Sequence, residues 1–364
     1  MEPDAKTKAV LLRKQESRAT DGIACYPRLL LSQEHGTVNR PARLTVLFAV
    51  AAAAFALSLV AGKQWLPWDA WTGHDPRWAI VTELRLPRAM LGALLGAALG
   101  LSGAVLQGYL RNPLADPTVI GVSSCAAMGA VASIVLGLGG AGAWVGLGQF
   151  GWAMAGAIGA MALLSALTAR GDATVVFVLA GTVLASLAAA LTAFLISIAP
   201  NPYAVAEAID WLMGALTDRG TGDVLLAAPF IVVGAAVLLT TGRALDALAL
   251  GEDAARSLGI DLARLRWTVV IGTGLAVGAG VAVTGVVGFV GLVVPHLLRP
   301  LFGARPSALL VPSAIGGAAL VLVADSLCRL APGAGEVRLG VVMAMIGAPF
   351  FLVLLLREGT RSWR

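Results

Sequence analysis

The sequence predicts an all-α, polytopic membrane protein of about ten transmembrane helices, and three observations carry that prediction. Its 364 residues are 58% hydrophobic and 13% charged, far from the quarter-charged composition of ordinary soluble domains. Charge-free runs cover residues 44–62, 89–110, 117–169, 173–206, 224–242, 267–298, 306–324 and 339–356, and about 20 helical residues cross a bilayer. The runs are uniformly rich in Leu, Ala and Gly, whereas a transmembrane β-barrel needs alternation over segments of roughly ten residues.

Taken in order, residues 1–42 are polar and mixed in charge. They lack the short apolar core and small-residue cleavage site of a secretory signal, so a disordered cytoplasmic tail is expected. A membrane domain follows over 43–358. Its first span is 44–62, and the second, 89–110, is preceded by R-L-P-R at 85–88 and carries Gly92, Gly96, Gly100 and Gly103. Small residues at such spacing let helix backbones approach closely where lipid supplies no hydrophobic drive to associate. The run 117–169 is too long for one helix, and its glycine-rich stretch 137–142 divides it into two. One span fits 173–206, a short extra helix is expected near 202–213, and another span fits 224–242. The segment 267–303 divides near 288–291, and 306–324 and 339–356 complete ten spans. Residues 359–364 form a C-terminal tail.

Arg40 and Arg43 precede the first span, and Arg357, Arg361 and Arg364 follow the last. Because cytoplasmic loops concentrate Lys and Arg, both termini are expected in the cytoplasm, which requires an even number of spans. Alternation then places Arg111, Arg170, Arg243, Arg256, Arg264, Arg266 and Arg305 inside. The acid-rich stretch with Glu207, Asp210, Asp218 and Asp223 falls outside, joined by Arg85, Arg88, Arg329 and Arg338. Outward arginines read either as headgroup anchors or as a docking patch for an acidic partner, since the guanidinium offers a rigid, permanently charged fork to carboxylates.

The net charge of +5 lies in tails and short loops without interleaved surface aromatics, so no nucleic-acid partner is expected. Three cysteines, Cys25, Cys125 and Cys328, cannot form a disulfide framework. Ion-coupled transporters carry ionisable residues within their spans, and here only Asp325 and His296 approach that description. His296, next to Pro295, reads as a structural residue, and no metal site is expected. No G-x-x-x-x-G-K-[ST] loop, H-E-x-x-H helix or G-x-S-x-G elbow occurs, so no catalytic residues are assigned and any ATP hydrolysis belongs to another subunit.

Between two spans, at about 245–263, Leu245, Leu248, Leu250, Ala254, Leu258 and Leu262 recur at helical spacing, and Gly251 and Gly259 divide the segment. An interfacial helix lying on lipid usually carries many Lys or Arg. This one sets Asp246, Glu252 and Asp253 against Arg256, which favours a surface docked into a partner. Ser102-Gly103 with Pro113 and Thr284-Gly285 with Pro295 repeat one spacing at the ends of oppositely directed helices, the pattern of an inverted repeat.

These motifs converge. R-L-P-R at 85–88, S-G-A-V-L-Q-G-Y-L-R-N-P-L-A-D-P at 102–117, L-G-E-D-A-A-R-S-L-G at 250–259, G-F-V-G-L-V-V-P-H at 288–296 and I-G-A-P-F-F at 346–351 resemble the permease family of ATP-driven importers for iron siderophores, haem and vitamin B12. The resemblance runs from about residue 44 to the C-terminus. It implies a vitamin B12 permease-like homodimer in the bacterial inner membrane, two cytoplasmic ATPase subunits that bind ATP and Mg, and a periplasmic substrate-binding protein. The chain itself would hold no cofactor. By the same resemblance Arg85, Arg88 and Arg329 dock the binding protein, Asn112 and Leu114 stand at the cytoplasmic gate, and Gly251, Glu252, Ala255, Leu258 and Gly259 couple to the ATPase. The stretch L-L-R-P-L-F-G-A-R-P-S-A-L-L after His296 departs from the family's D-H-R-rich turn, and the N-terminal tail has no counterpart. The alternatives from other classes are a secondary transporter and an intramembrane enzyme or scaffold.

Overall fold

The computed structural model describes residues 40–64, 66–67, 71, 75–118, 120–138, 145–168, 174–332 and 335–362. The expected N-terminal tail lies outside them, apart from residues 40–42, which are already helical. From Val46 onward the chain forms one compact unit. Ahead of it, the described residues are the opening turns of the first helix, where the Thr45 hydroxyl donates to the Pro41 carbonyl.

The described residues form helices and connections. They are α1 (Arg40–Val60), a π-helical turn (Ile80–Arg85) leading into α2 (Leu86–Tyr109), α3 (Val122–Val135), α4 (Val145–Thr168), α5 (Thr174–Ser197), α6 (Pro202–Leu212) and α7 (Thr221–Leu239). After them come α8 (Gly242–Leu248), α9 (Glu252–Ser257), α10 (Leu262–Thr284), α11 (Val290–Phe302), α12 (Pro306–Leu330) and α13 (Leu339–Ser362). Seven of these helices are long and apolar enough to cross a membrane, and three shorter apolar helices lie at 122–135, 290–302 and 339–354. The ten expected spans are therefore all helical. The short helix expected near 202–213 is α6, with Pro202 in its first turn and the Asn201 side chain accepting from the Ala204 N–H as its cap.

Glycines set the core. Among the described helices α2 and α12 share the most extensive packing, because Gly96 and Gly100 of α2 lie against the backbone of Gly317 and Ser313. No side chain intervenes, so the helices meet backbone to backbone, as small residues permit in lipid. Gly103 meets Gly291 of α11 in the same way.

The expected repeat has a counterpart in the packing. α2 packs on α12 and α11 as α10 packs on α4 and α3, and the pairs α3 with α4 and α4 with α5 recur as α11 with α12 and α12 with α13. The short members, α3 and α11, both begin at a left-handed N-cap, Gly121 at φ 85° and Phe289 at φ 67°. The Pro113 and Pro295 spacing that pointed to the repeat is not its structural register, because Pro113 lies in the connection before α3 while Pro295 lies inside α11. The correspondence resides in packing, which short matched motifs do not record. A left-handed Phe289 is unusual, and its ring occupies the space that any side chain at position 347 would take, so Gly347 of α13 is required there.

Candidate functional site

Two polar assemblies lie at opposite ends of α2. At its N-terminal end the π-helical turn aims Arg85 back into the bundle, where Nη1 donates to the carbonyls of Leu59 and Val60 (both 2.9 Å) and Nη2 to that of Gln64 (2.7 Å). Three residues on, Arg88 donates to Asp325 of α12 (Nη2 to Oδ1, 2.8 Å) and reaches Glu336 Oε2 at 2.8 Å. Arg329, one turn after Asp325, pairs with it (2.9 Å) and donates to Ser58 Oγ (2.6 Å) and the Ala61 carbonyl (3.0 Å). The three arginines assigned by resemblance to docking thus meet in one cluster. Arg85 and Arg329 are 7% and 3% exposed, so most of their donors serve the chain itself, and Arg88 carries the bonding toward the connection after α12.

Above this cluster lies a pocket of about 280 Å³ lined by Lys63, Arg85, Arg88, Arg219 and Arg329 against Asp218 and Glu336. Its cations outnumber its acids, so its potential suits an incoming carboxylate. Burial raises the Glu336 pKa, but the hydrogen bond and charge of Arg88 and the bond from the Thr217 hydroxyl (3.0 Å) outweigh it and hold the carboxyl below its ordinary range.

The opposite end holds the predicted gate and coupling residues. Asn112 is exposed and its Oδ1 accepts from the Leu114 N–H (2.9 Å), which closes a tight turn after α2. Arg111, in the left-handed region at φ 49°, reaches Glu252 of α9 at 3.4 Å, so the N-P-L turn and the coupling segment are in contact. Gly251 and Gly259, at φ 111° and 79°, bracket α9 in conformations that glycine adopts without strain. Ala255 is fully buried, whereas Leu250 and Leu258 are 71% and 63% exposed. α9 therefore buries Ala255, while the leucines flanking it, Leu250 and Leu258, are exposed.

Sequence reasoning missed the fastening of this segment. Asp246 of α8 accepts from Arg305 Nε (2.7 Å), from the Ser307 N–H (2.9 Å) and from the Ser307 hydroxyl (2.7 Å), which caps α12. Burial disfavours its charge, but the bonds from Ser307 and Arg305 outweigh that and hold its pKa low. Further in, Gln107 donates to the Gly291 carbonyl (3.1 Å) and accepts from Arg299 (2.7 Å), tying α2 to α11. Asp325 and Arg329, four apart on one helix, were legible as a pair. Glu336 and Gln107 had no local signal, since their partners lie far away in the chain. Among the described residues no group of His, Cys, Asp or Glu could hold a metal ion.

The model of the FecCD transport family matches residues 49–357. The chain belongs to the FecCD transport family. It is 41% identical over 285 residues, 78% of its length and 75% of the relative's, to the cobalamin import system permease protein BtuC of Halobacterium salinarum. It is 39% identical over 312 residues, 84% of its length and 92% of the relative's, to the vitamin B12 import system permease protein BtuC of Shigella sonnei. The solved structure of an inward-facing metal-chelate type ABC transporter superposes with a TM-score of 0.79 at 31% identity, covering 87% of this chain and 99% of that one. As an ABC transporter permease of this family, a multi-pass membrane protein, the chain falls in neither alternative class, secondary transporter nor intramembrane enzyme.

Proposed function

We propose that the chain is the permease subunit of an importer that carries cobalamin inward across a bacterial cytoplasmic membrane, as a homodimer with its path between the two copies. Two cytoplasmic ATPase subunits supply the energy and a periplasmic binding protein delivers the cargo. Cobalamin moves ahead of ferric siderophores and haem because the relatives at 39% and 41% identity are named for it. Both termini then face the cytoplasm, and the membrane domain occupies residues 43–358.

The observation that carries this reading is that one helix, α2, has the arginine pocket at its N-terminal end and the Arg111–Glu252 contact just beyond its C-terminal end. Arg85, Arg88 and Arg329 form the landing site, with acidic side chains of the binding protein entering the cationic pocket. Asn112 and Leu114 form the turn that gates the cytoplasmic end. Leu250 and Leu258 enter a groove of the ATPase, with Glu252 relaying its movement to Arg111 and Ala255 anchoring α9. ATP and Mg are bound by the ATPase.

Replacing Leu258 by Glu places a charge on the apolar contact. Reconstituted with the cognate ATPase, L258E is expected to retain basal ATP hydrolysis and lose most cobalamin uptake. Uptake at the parent's rate per ATP hydrolysed would remove the coupling assignment.

A further inference from the structure

Resting on the docking reading above, we propose that Glu336 is an intramolecular place-holder: in the free permease it occupies the Arg88 guanidinium that a binding-protein carboxylate takes on docking, so docking exchanges one carboxylate for another. Arg88 Nη2 lies 2.8 Å from Asp325 Oδ1 and 2.8 Å from Glu336 Oε2, but the two acids differ in kind. Asp325 is part of α12, its side chain is 2% exposed, and a second guanidinium, Arg329, holds it. Glu336 belongs to the connection between α12 and α13, its side chain is 26% exposed, and its remaining tether is the Thr217 hydroxyl. It lines the open cationic pocket, where Asp325 does not.

An acidic side chain entering the pocket therefore meets Arg88 from the side Glu336 occupies. The charge-assisted bond lost by Glu336 is regained by the incomer, and the released carboxylate passes to water, which solvates it. Exchange thus leaves no cation unpaired and buries no unpaired anion. Glu336 stands three residues before the start of α13 at Leu339, and Lys63 holds the adjacent Gly335 carbonyl at 2.8 Å. Release of Glu336 consequently loosens the lead-in to the last helix when the partner arrives.

The test is the affinity of the cargo-loaded cognate binding protein for the permease–ATPase complex in nanodiscs, at low and high ionic strength. E336Q is expected to bind about two- to fivefold tighter, the range of a partly exposed charge pair. D218N removes the same charge from the same pocket without touching Arg88, so its gain comes from long-range attraction and vanishes in high salt. The excess of E336Q over D218N persists there. T217V, which removes the tether alone, shifts affinity in the same direction and serves if E336Q does not fold. R88E weakens binding, and at high ionic strength, where the pocket's long-range charge is screened, adding E336Q to R88E gives no gain. Unchanged or weaker binding by E336Q and T217V, with R88E still weakened, overturns the place-holder and leaves the docking site standing. Unchanged binding by R88E at low salt overturns both.

Discussion

Asp325→Ala is expected to cost about 3 kcal/mol or more of stability, the range for breaking a buried ion pair from one side. The carboxylate is 1% exposed and receives both Arg88 and Arg329. Its loss leaves two largely buried guanidinium groups side by side at the edge of the pocket, with Glu336 as the remaining nearby anion. Arg329 would keep its bonds to Ser58 Oγ and the Ala61 carbonyl, which engage two of its nitrogens but do not balance its charge. Asp325→Asn preserves shape and should still be strongly destabilised, which separates charge from packing. Removing Arg88 as well, in D325A/R88M, is expected to recover part of the loss because the two residues act as a unit. The measurement is the fraction of monodisperse protein after heating in detergent. A D325A midpoint equal to the parent's would show that the cluster is not stabilised by this carboxylate.

The second large effect is expected at Gly100. A Cβ there would fall on the Ser313 carbonyl and 3.2 Å from the Gly317 Cα, so even alanine must push α2 and α12 apart. Those helices carry Arg88 and Asp325, and the N-P-L turn follows α2, so separation disturbs both ends of the molecule at once. Gly100→Ala is expected to lower the unfolding midpoint markedly, and Gly100→Val to prevent accumulation of folded protein in the membrane. Gly159 of α4 is the control, since a Cβ there meets nothing within 4 Å. Gly159→Ala should be neutral or slightly stabilising, through the helix propensity of about 1 kcal/mol that separates the two residues. Equal behaviour of G100A and G159A would contradict the close-packed interface.

Most of the architecture was legible because lipid imposes a simple code. Uniform apolar runs of spanning length predicted the spans; the division expected near 137–142 lies between α3 and α4, with 139–144 outside the described residues, and the one expected near 288–291 falls where α11 begins after the break that follows Thr284. Gly251 and Gly259 marked the ends of α9 because positive φ favours glycine. What escaped were interactions whose two halves lie far apart in the chain. Nothing local to Glu336 says that it reaches Arg88, and nothing local to Asp246 says that it caps α12 through Ser307. Arg85 and Arg329 were conspicuous by their charge, but their burial was not, because it depends on the backbone carbonyls of Leu59, Val60 and Ala61 at the end of α1. The repeat was suspected from a coincidence of spacing and is real in the packing, where helix contacts and not prolines define its register.

The central claim, that this chain couples ATP hydrolysis by a partner to inward movement of cobalamin handed over by a binding protein, is tested most directly in proteoliposomes. ATP hydrolysis and cargo accumulation are measured together with this chain, its cognate ATPase, and the binding protein supplied empty or loaded with cobalamin, haem or a ferric siderophore. Cobalamin-loaded binding protein is expected to stimulate hydrolysis, with cobalamin accumulating only when ATP is present. Cobalamin uptake without ATP, or hydrolysis that no loaded binding protein stimulates, would contradict it.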